Sequence, residues 1–140
     1  MTRAILDTNV LAPAFIGGGA RPTAPSAIIE LWRTGWFELV VTPMILAELC
    51  RTFTDPYFQR RMTLAQMNDT LDLLVTLTVA RPTYVIAGVA THPEDDQVLA
   101  ELVSAEVDYF VTGDKQLLKL HKHHGVSIVE PNLFRANLVL

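Results

Sequence analysis

The chain has a single cysteine, Cys50. No disulfide can form within it, and a CxxC redox or zinc pair is excluded. Such thiol poverty suits a reducing compartment, and a cytoplasmic location is expected. A run long enough to cross a bilayer is also missing. The opening stretch "MTRAILDTNVLAPAFIGGGA" has the outline of a secretory signal, but Asp7 and Asn9 fall where its apolar segment should lie. A soluble protein with no membrane partner is expected. Gly17, Gly18 and Gly19 are not followed by the "GK[ST]" signature, so no phosphate-binding P-loop is implied. Repeats, linkers and low-complexity segments are absent too, and residues 1–140 read as one domain, long enough to build a core without staples.

Basic charge is scarce. Fifteen acids face 11 bases, for a net charge of −4. This balance opposes simple electrostatic attraction to nucleic acid. The objection weakens if the acids are concentrated: without Asp7, Glu48, Asp96 and Asp114, 11 acids remain against 11 bases.

Half the residues are hydrophobic, and they fall into alternating strand and helix patterns. Strands are expected at 3–6, 37–41, 77–80, 108–112 and 126–129. Helices are expected over 25–34, 43–53, 63–75, a segment opening at Thr91–Pro93, 115–122 and 132–138. The stretch "GGGARPTAPS" reads as a loop. Thr42-Pro43 has the chemistry of an N-cap and first helical residue, and Thr91 and Glu94 have capping-box spacing. The second of these helices carries an Ile45–Leu49–Phe53 stripe, and the third a stripe of Leu64, Met67, Leu71 and Leu74. Alternation of strands and helices predicts an α/β fold, a three-layer α/β/α arrangement with a mainly parallel sheet of four to five strands.

Against this background one carboxylate is out of place. In "RAILDTNVL" Asp7 interrupts an apolar run, where a bare charge would cost several kcal/mol or protonate. Such an acid must be hydrated, paired or metal-bound. In a parallel sheet the strand ends share one edge, where ligand sites gather. Asp7 ends the first strand, Glu48 lies about two turns into a helix following the second, Asp95 and Asp96 open a helix, and Asp114 follows "DYFVT" directly. Singly, most have bland explanations: Asp114 as a helix cap, Asp95 and Asp96 as partners of a helix dipole, Glu48 as a solvated border residue. Asp7, followed by "TN", has no such local duty. Jointly, four carboxylates at one edge repel unless a cation lies among them. Oxygen-only donors select hard ions, Mg²⁺ or Mn²⁺ rather than Zn²⁺. Such ions hold phosphates, orient water and stabilise a leaving oxygen in phosphodiester hydrolysis.

Supporting parts are assigned to Thr8 and Asn9, which can orient Asp7 or a metal-bound water, and to Thr112, a donor to an acid or a scissile phosphate. Arg51 and Lys115 are candidate phosphate contacts, as are Arg60, Arg61 and Lys119. The "HKHH" segment, 121–124, matches no usual zinc spacing and reads as solvated and basic. Cys50 lacks an activating partner and is read as a packing residue.

The combination "ILDTNVL", "TPMILAELCR", "PEDDQVLAELVSAEVDYFVTGDKQLL" and "VSIVEP", from about residue 3 to 131, resembles the PIN domain family. It looks closest to the branch of toxins in type II toxin–antitoxin systems akin to VapC-type ribonucleases. The resemblance implies a metal-dependent endoribonuclease with a parallel sheet and an acidic Mg²⁺ or Mn²⁺ site. The family's first acid matches Asp7, its second Glu48 and its fourth Asp114. Its third matches Asp96, with Asp95 one residue out of register, and its Ser/Thr near the fourth acid matches Thr112. RNA as substrate, an antitoxin protein and a homodimer are the partners it implies.

Three functions therefore compete. The first is metal-dependent hydrolysis of RNA by water, with Asp7, Glu48, Asp96 and Asp114 as catalytic and metal-binding groups. The second is a catalytically silent PIN-like module that binds RNA or antitoxin. The third, a phosphatase with Asp7 as nucleophile, ranks last, because such sites place an acid where this chain has Asn9.

Overall fold

The computed structural model describes residues 1–16, 22–77 and 93–139, and leaves the side chains of residues 93–96 outside that description. Along the chain lie β1 (Arg3–Leu6), α1 (Thr8–Ala14), α2 (Ala24–Arg33), β2 (Glu38–Val40), α3 (Pro43–Thr52), α4 (Pro56–Gln59), α5 (Leu64–Val75) and α6 (Pro93–Ala105). They are followed by β3 (Tyr109–Val111), α7 (Lys115–Leu118), β4 (Lys122–His123), β5 (Val126–Val129) and α8 (Pro131–Val139).

The strands form one five-stranded sheet in the order β2-β1-β3-β5-β4, parallel except for the β4–β5 pair. Consecutive residues of a strand point to opposite faces. Ala4, Ile5 and Leu6 are all buried, as are Phe110 and Val111, so both faces of the central strands are covered. That is the condition under which parallel strands read as continuous apolar runs. The α/β expectation holds, and the sheet has the upper of the two strand numbers foreseen.

Helix starts follow local chemistry. Thr42 Oγ1 accepts from the Ile45 N–H at the head of α3, with Pro43 as the first helical residue. Thr63 and Gln66 exchange both bonds of a capping box at the head of α5. The α3 stripe of Ile45, Leu49 and Phe53 is buried as expected. Helix α8 is anchored by Phe134, whose ring meets Phe37 at 5.1 Å and Tyr109 at 5.2 Å, both edge-on.

Several expectations need correction. Residues 8–14, given no element, form α1, and Pro56–Gln59 form the short α4. Leu64, placed in the apolar stripe of α5, is 73% exposed, whereas Met67 and Leu74 are buried. Cys50 is exposed and does not pack. The helix expected over 115–122 stops at Leu118, and Lys122 belongs to a hairpin. The reason lies in the turn: His124 (φ 47°) and Gly125 (φ 82°) are both left-handed, as a two-residue hairpin turn of type I′ demands. The loop "GGGARPTAPS" ends early, since α2 begins at Ala24. The strand expected at 77–80 and the capping box at Thr91 lie outside the described residues, apart from Leu77.

Candidate active site

Chain order places β1 between β2, its immediate successor among the strands, and β3. The direction of winding reverses there, and ligand sites in open parallel sheets form at the carboxyl ends of such strands. Asp7 leaves β1 at that point and Thr112 leaves β3. The Asp7 N–H continues the pairing by donating to the Val111 carbonyl at 2.8 Å.

Asp7 is 9% exposed, and its carboxylate is held on both sides. Oδ1 accepts from the Thr8 N–H at 2.8 Å. Oδ2 accepts from the Thr112 hydroxyl at 2.8 Å and from Asn9 Nδ2 at 3.2 Å. Asp7 is also the N-cap of α1, so it does have the local duty that its sequence context had not shown. Thr112 is fully buried and acts as a junction, because its Oγ1 accepts from the Asp114 N–H at 3.0 Å while its hydroxyl donates to Asp7. Asn9 Oδ1 accepts from the Gly113 N–H at 2.9 Å. These four residues lock the ends of β1 and β3 together. Asp114 caps α7, its Oδ1 accepting from the Gln116 N–H at 2.8 Å.

A cavity of about 870 Å³ opens beside this junction. Asp7, Thr8, Asn9, Glu48, Arg51 and Asp114 line it, so α1, α3 and the cap of α7 each bring a residue foreseen for the site. Burial pushes the Asp7 carboxyl above its ordinary range; the Thr112 and Thr8 hydrogen bonds oppose that rise, while the charges of Glu48 and Asp114 add to it. Among the described residues, no group of three or more His, Cys, Asp and Glu side chains is set to hold a metal ion as it stands. Glu48 and Asp114 thus act on Asp7 through charge across the cavity.

Residues 95 and 96 stand in the first turn of α6, and their side chains lie outside the described residues. The next residues of that helix, Gln97 and Val98, line the cavity. Lys115 opens α7 in an exposed position and does not line it. His123 and His124 meet each other at 4.5 Å on the β4–β5 hairpin.

One ionisable residue of the cavity lining escaped the sequence reading. Glu101 is 8% exposed, on the inner side of α6. It accepts from the Thr42 hydroxyl and the Met44 N–H at the head of α3, and burial still drives its carboxyl upward against those bonds. Among the described residues its Oε2 has no hydrogen-bond partner, and neither does the buried Thr8 Oγ1 in the same wall. The signal was present: "LAELV" puts a carboxylate on the apolar side of a helix, the same anomaly that singled out Asp7.

The family model of the PIN domain matches residues 3–116. The match spans most of the chain and every site residue named above. A search of curated proteins finds no match.

Proposed function

We propose, from the premise that this chain belongs to the PIN domain family, that it is a metal-dependent endoribonuclease. The family supports a nuclease-type fold and nucleic-acid binding; metal dependence and RNA belong to the proposal. One observation carries it: three acids distant in sequence, Asp7, Glu48 and Asp114, line one cavity at the switch point, where burial foremost, and the charges of Glu48 and Asp114 in addition, raise the Asp7 carboxyl.

A hard divalent cation suits this donor set. Every polar side-chain atom that Asp7, Thr8, Glu48, Glu101 and Asp114 offer is oxygen, and two of the buried oxygens are unpartnered among the described residues. Asp7, Glu48 and Asp114, joined by Asp96 or Asp95 from the first turn of α6, would hold Mg²⁺ or Mn²⁺. Bound there, the ion supplies charge for the scissile phosphate and acidifies a water. The protein's own part is to aim and to exclude. Thr112 and Asn9 occupy Oδ2 of Asp7 and the Thr8 N–H one site on Oδ1, which leaves the second lone pair of Oδ1 for a cation. A carboxylate of the set takes the proton from the attacking water as its oxygen bonds to phosphorus, the P–O bond to the leaving ribose oxygen breaks, and that oxygen takes a proton from solvent. Arg51, exposed on the cavity wall, offers a guanidinium to a non-bridging phosphate oxygen. Toxin activity restrained by an antitoxin, and a homodimer, follow from the family resemblance and belong to the same proposal.

The test is cleavage of a mixed pool of structured and single-stranded RNA by wild type, Asp7→Asn and Asp114→Asn, each with Mn²⁺ and with EDTA. Cutting by wild type only with the metal, and by neither variant, is expected. Metal-dependent cutting by well-folded variants would overturn the assignment. Folded protein that binds Mn²⁺ and cuts nothing would favour the silent binding module.

A further inference from the structure

The acidic cavity does not end at Glu48. A second depression of about 330 Å³ shares Glu48, Arg51, Thr52 and Phe58 with it and continues past Thr54 and Asp55 towards α4. Its lining carries both signs, Arg51 together with Glu48 and Asp55. Arg51, Arg60 and Arg61 are exposed, and neither ion pair found among the described residues uses them. Asp55 is the acid nearest in the chain, and its Oδ1 is occupied in capping α4, accepting from the Tyr57 N–H at 2.8 Å.

One ring of this lining continues into a second outside it. Phe58, in the cavity wall, meets Tyr57 edge-on at 5.1 Å. The Arg61 guanidinium lies 3.6 Å from the centre of the Tyr57 ring, held there by donating from Nη1 to the Tyr57 carbonyl at 2.9 Å. Tyr57 is nonetheless 46% exposed. A guanidinium stacked on a tyrosine, both facing water, presents a flat cationic platform whose own order is already established. No core requirement explains it, because α4 has no buried residue.

We propose that Tyr57 and Arg61 form a stacking subsite for one unpaired base of an RNA strand whose backbone continues into the acidic cavity. The inference rests on the nuclease reading and assigns where the substrate strand is gripped beyond the reacting bond. Bases paired in a duplex keep their faces covered and cannot use such a platform, so the subsite selects single strands. The guanidinium adds a phosphate or base-edge contact, and Arg51 marks the path between platform and cavity.

Binding can be read without turnover, by fluorescence anisotropy in EDTA, using a short unstructured RNA and a duplex RNA of the same length. Wild type is expected to prefer the single strand. Tyr57→Ala is expected to weaken single-strand binding about tenfold, as loss of one base stack does, and Tyr57→Phe to retain it. Arg61→Ala is expected to weaken binding and lower the salt slope by about 0.7, and Arg61→Lys to restore the slope but not the affinity. Both side chains are exposed, so melting temperatures should not move. Unchanged single-strand binding in Tyr57→Ala, an equal loss on duplex, or no binding by wild type overturns the subsite. If wild type also cuts RNA with Mn²⁺, those results leave the nuclease reading intact. Tyr57-dependent binding without any metal-dependent cutting supports the subsite and defeats the nuclease reading instead.

Discussion

Thr112→Val isolates the junction that aims Asp7. The exchange removes a hydroxyl and leaves the volume nearly unchanged at a fully buried position. Lost with it is a charge-assisted bond of 2.8 Å to Asp7 Oδ2, worth roughly 1.5–3 kcal/mol. The half-buried Asp114 N–H loses its acceptor at 3.0 Å, a further cost of about 1 kcal/mol. The expected loss of stability is about 2–4 kcal/mol, or roughly 6–15 °C in Tm for a domain of this length. Thr112→Ser keeps the hydroxyl and gives up one methyl, about 1 kcal/mol. Chemical denaturation of the three proteins in EDTA should rank serine near wild type and valine far below. The Thr112 bond is also the leading influence holding the Asp7 carboxyl down, so valine should raise that carboxyl further. A valine variant as stable as the serine variant would refute the reasoning, because the hydroxyl would then carry no energy.

Asp7→Asn should behave oppositely. The Asp7 carboxyl is raised in the fold, so the folded state holds its proton more tightly than the unfolded chain does. Its contribution to stability is therefore present at low pH and declines as pH climbs through the ordinary carboxylate range to the raised value. Metal-free Asp7→Asn should accordingly gain on wild type as pH rises from about 4 to 7, measured by thermal melts, with the reverse ranking if Mn²⁺ is added. Glu101→Gln keeps an acceptor for Thr42 and Met44 and removes a buried charge, so it should fold at least as well as wild type at neutral pH. Glu101→Ala should lose about 2–3 kcal/mol in urea unfolding, since both bonds to the head of α3 disappear. Gly125→Ala places a side chain at φ 82° in the hairpin turn and should cost roughly 1–2 kcal/mol in the same assay.

Much of the fold was legible because its elements announce themselves locally. Thr42-Pro43 and Thr63 mark helix starts by cap chemistry, and β1, β3 and β5 are apolar runs of strand length. Helix α1 was hidden by its own composition. It holds seven residues with Pro13 inside, and its cap is Asp7, a residue whose chemistry drew attention elsewhere. Strand β4 is two residues long and exists only through its pairing with β5, which no periodicity can signal. Leu64 shows a different limit. Helical period fixes the direction a side chain faces, but not whether a neighbouring element reaches the end of the helix to cover it.

The candidate site was legible in part for the same reason. Asp7 and Asp114 follow strands, and topology alone carries strand ends to a common edge. Asn9 was foreseen as orienting Asp7 and Thr112 as a donor to an acid or a scissile phosphate, and both hydrogen-bond to Asp7. Glu101 was passed over because it sits inside a helix, away from any strand end, and its partners Thr42 and Met44 are remote in sequence. Lys115 was chosen for its nearness to Asp114, yet a helix turns successive residues about 100° apart, and this one is exposed without lining the cavity.

The central claim is that the carboxylates at the β1–β3 switch point jointly hold one hard cation, and titration of Mn²⁺ by calorimetry at neutral pH tests it most directly. Wild type, Asp7→Asn, Glu48→Gln and Asp114→Asn would be compared, with folding verified by melting. The account predicts binding by wild type and a loss of about tenfold or more in each variant, since every carboxylate contributes charge to the same ion. Equal affinity across the four proteins would contradict it.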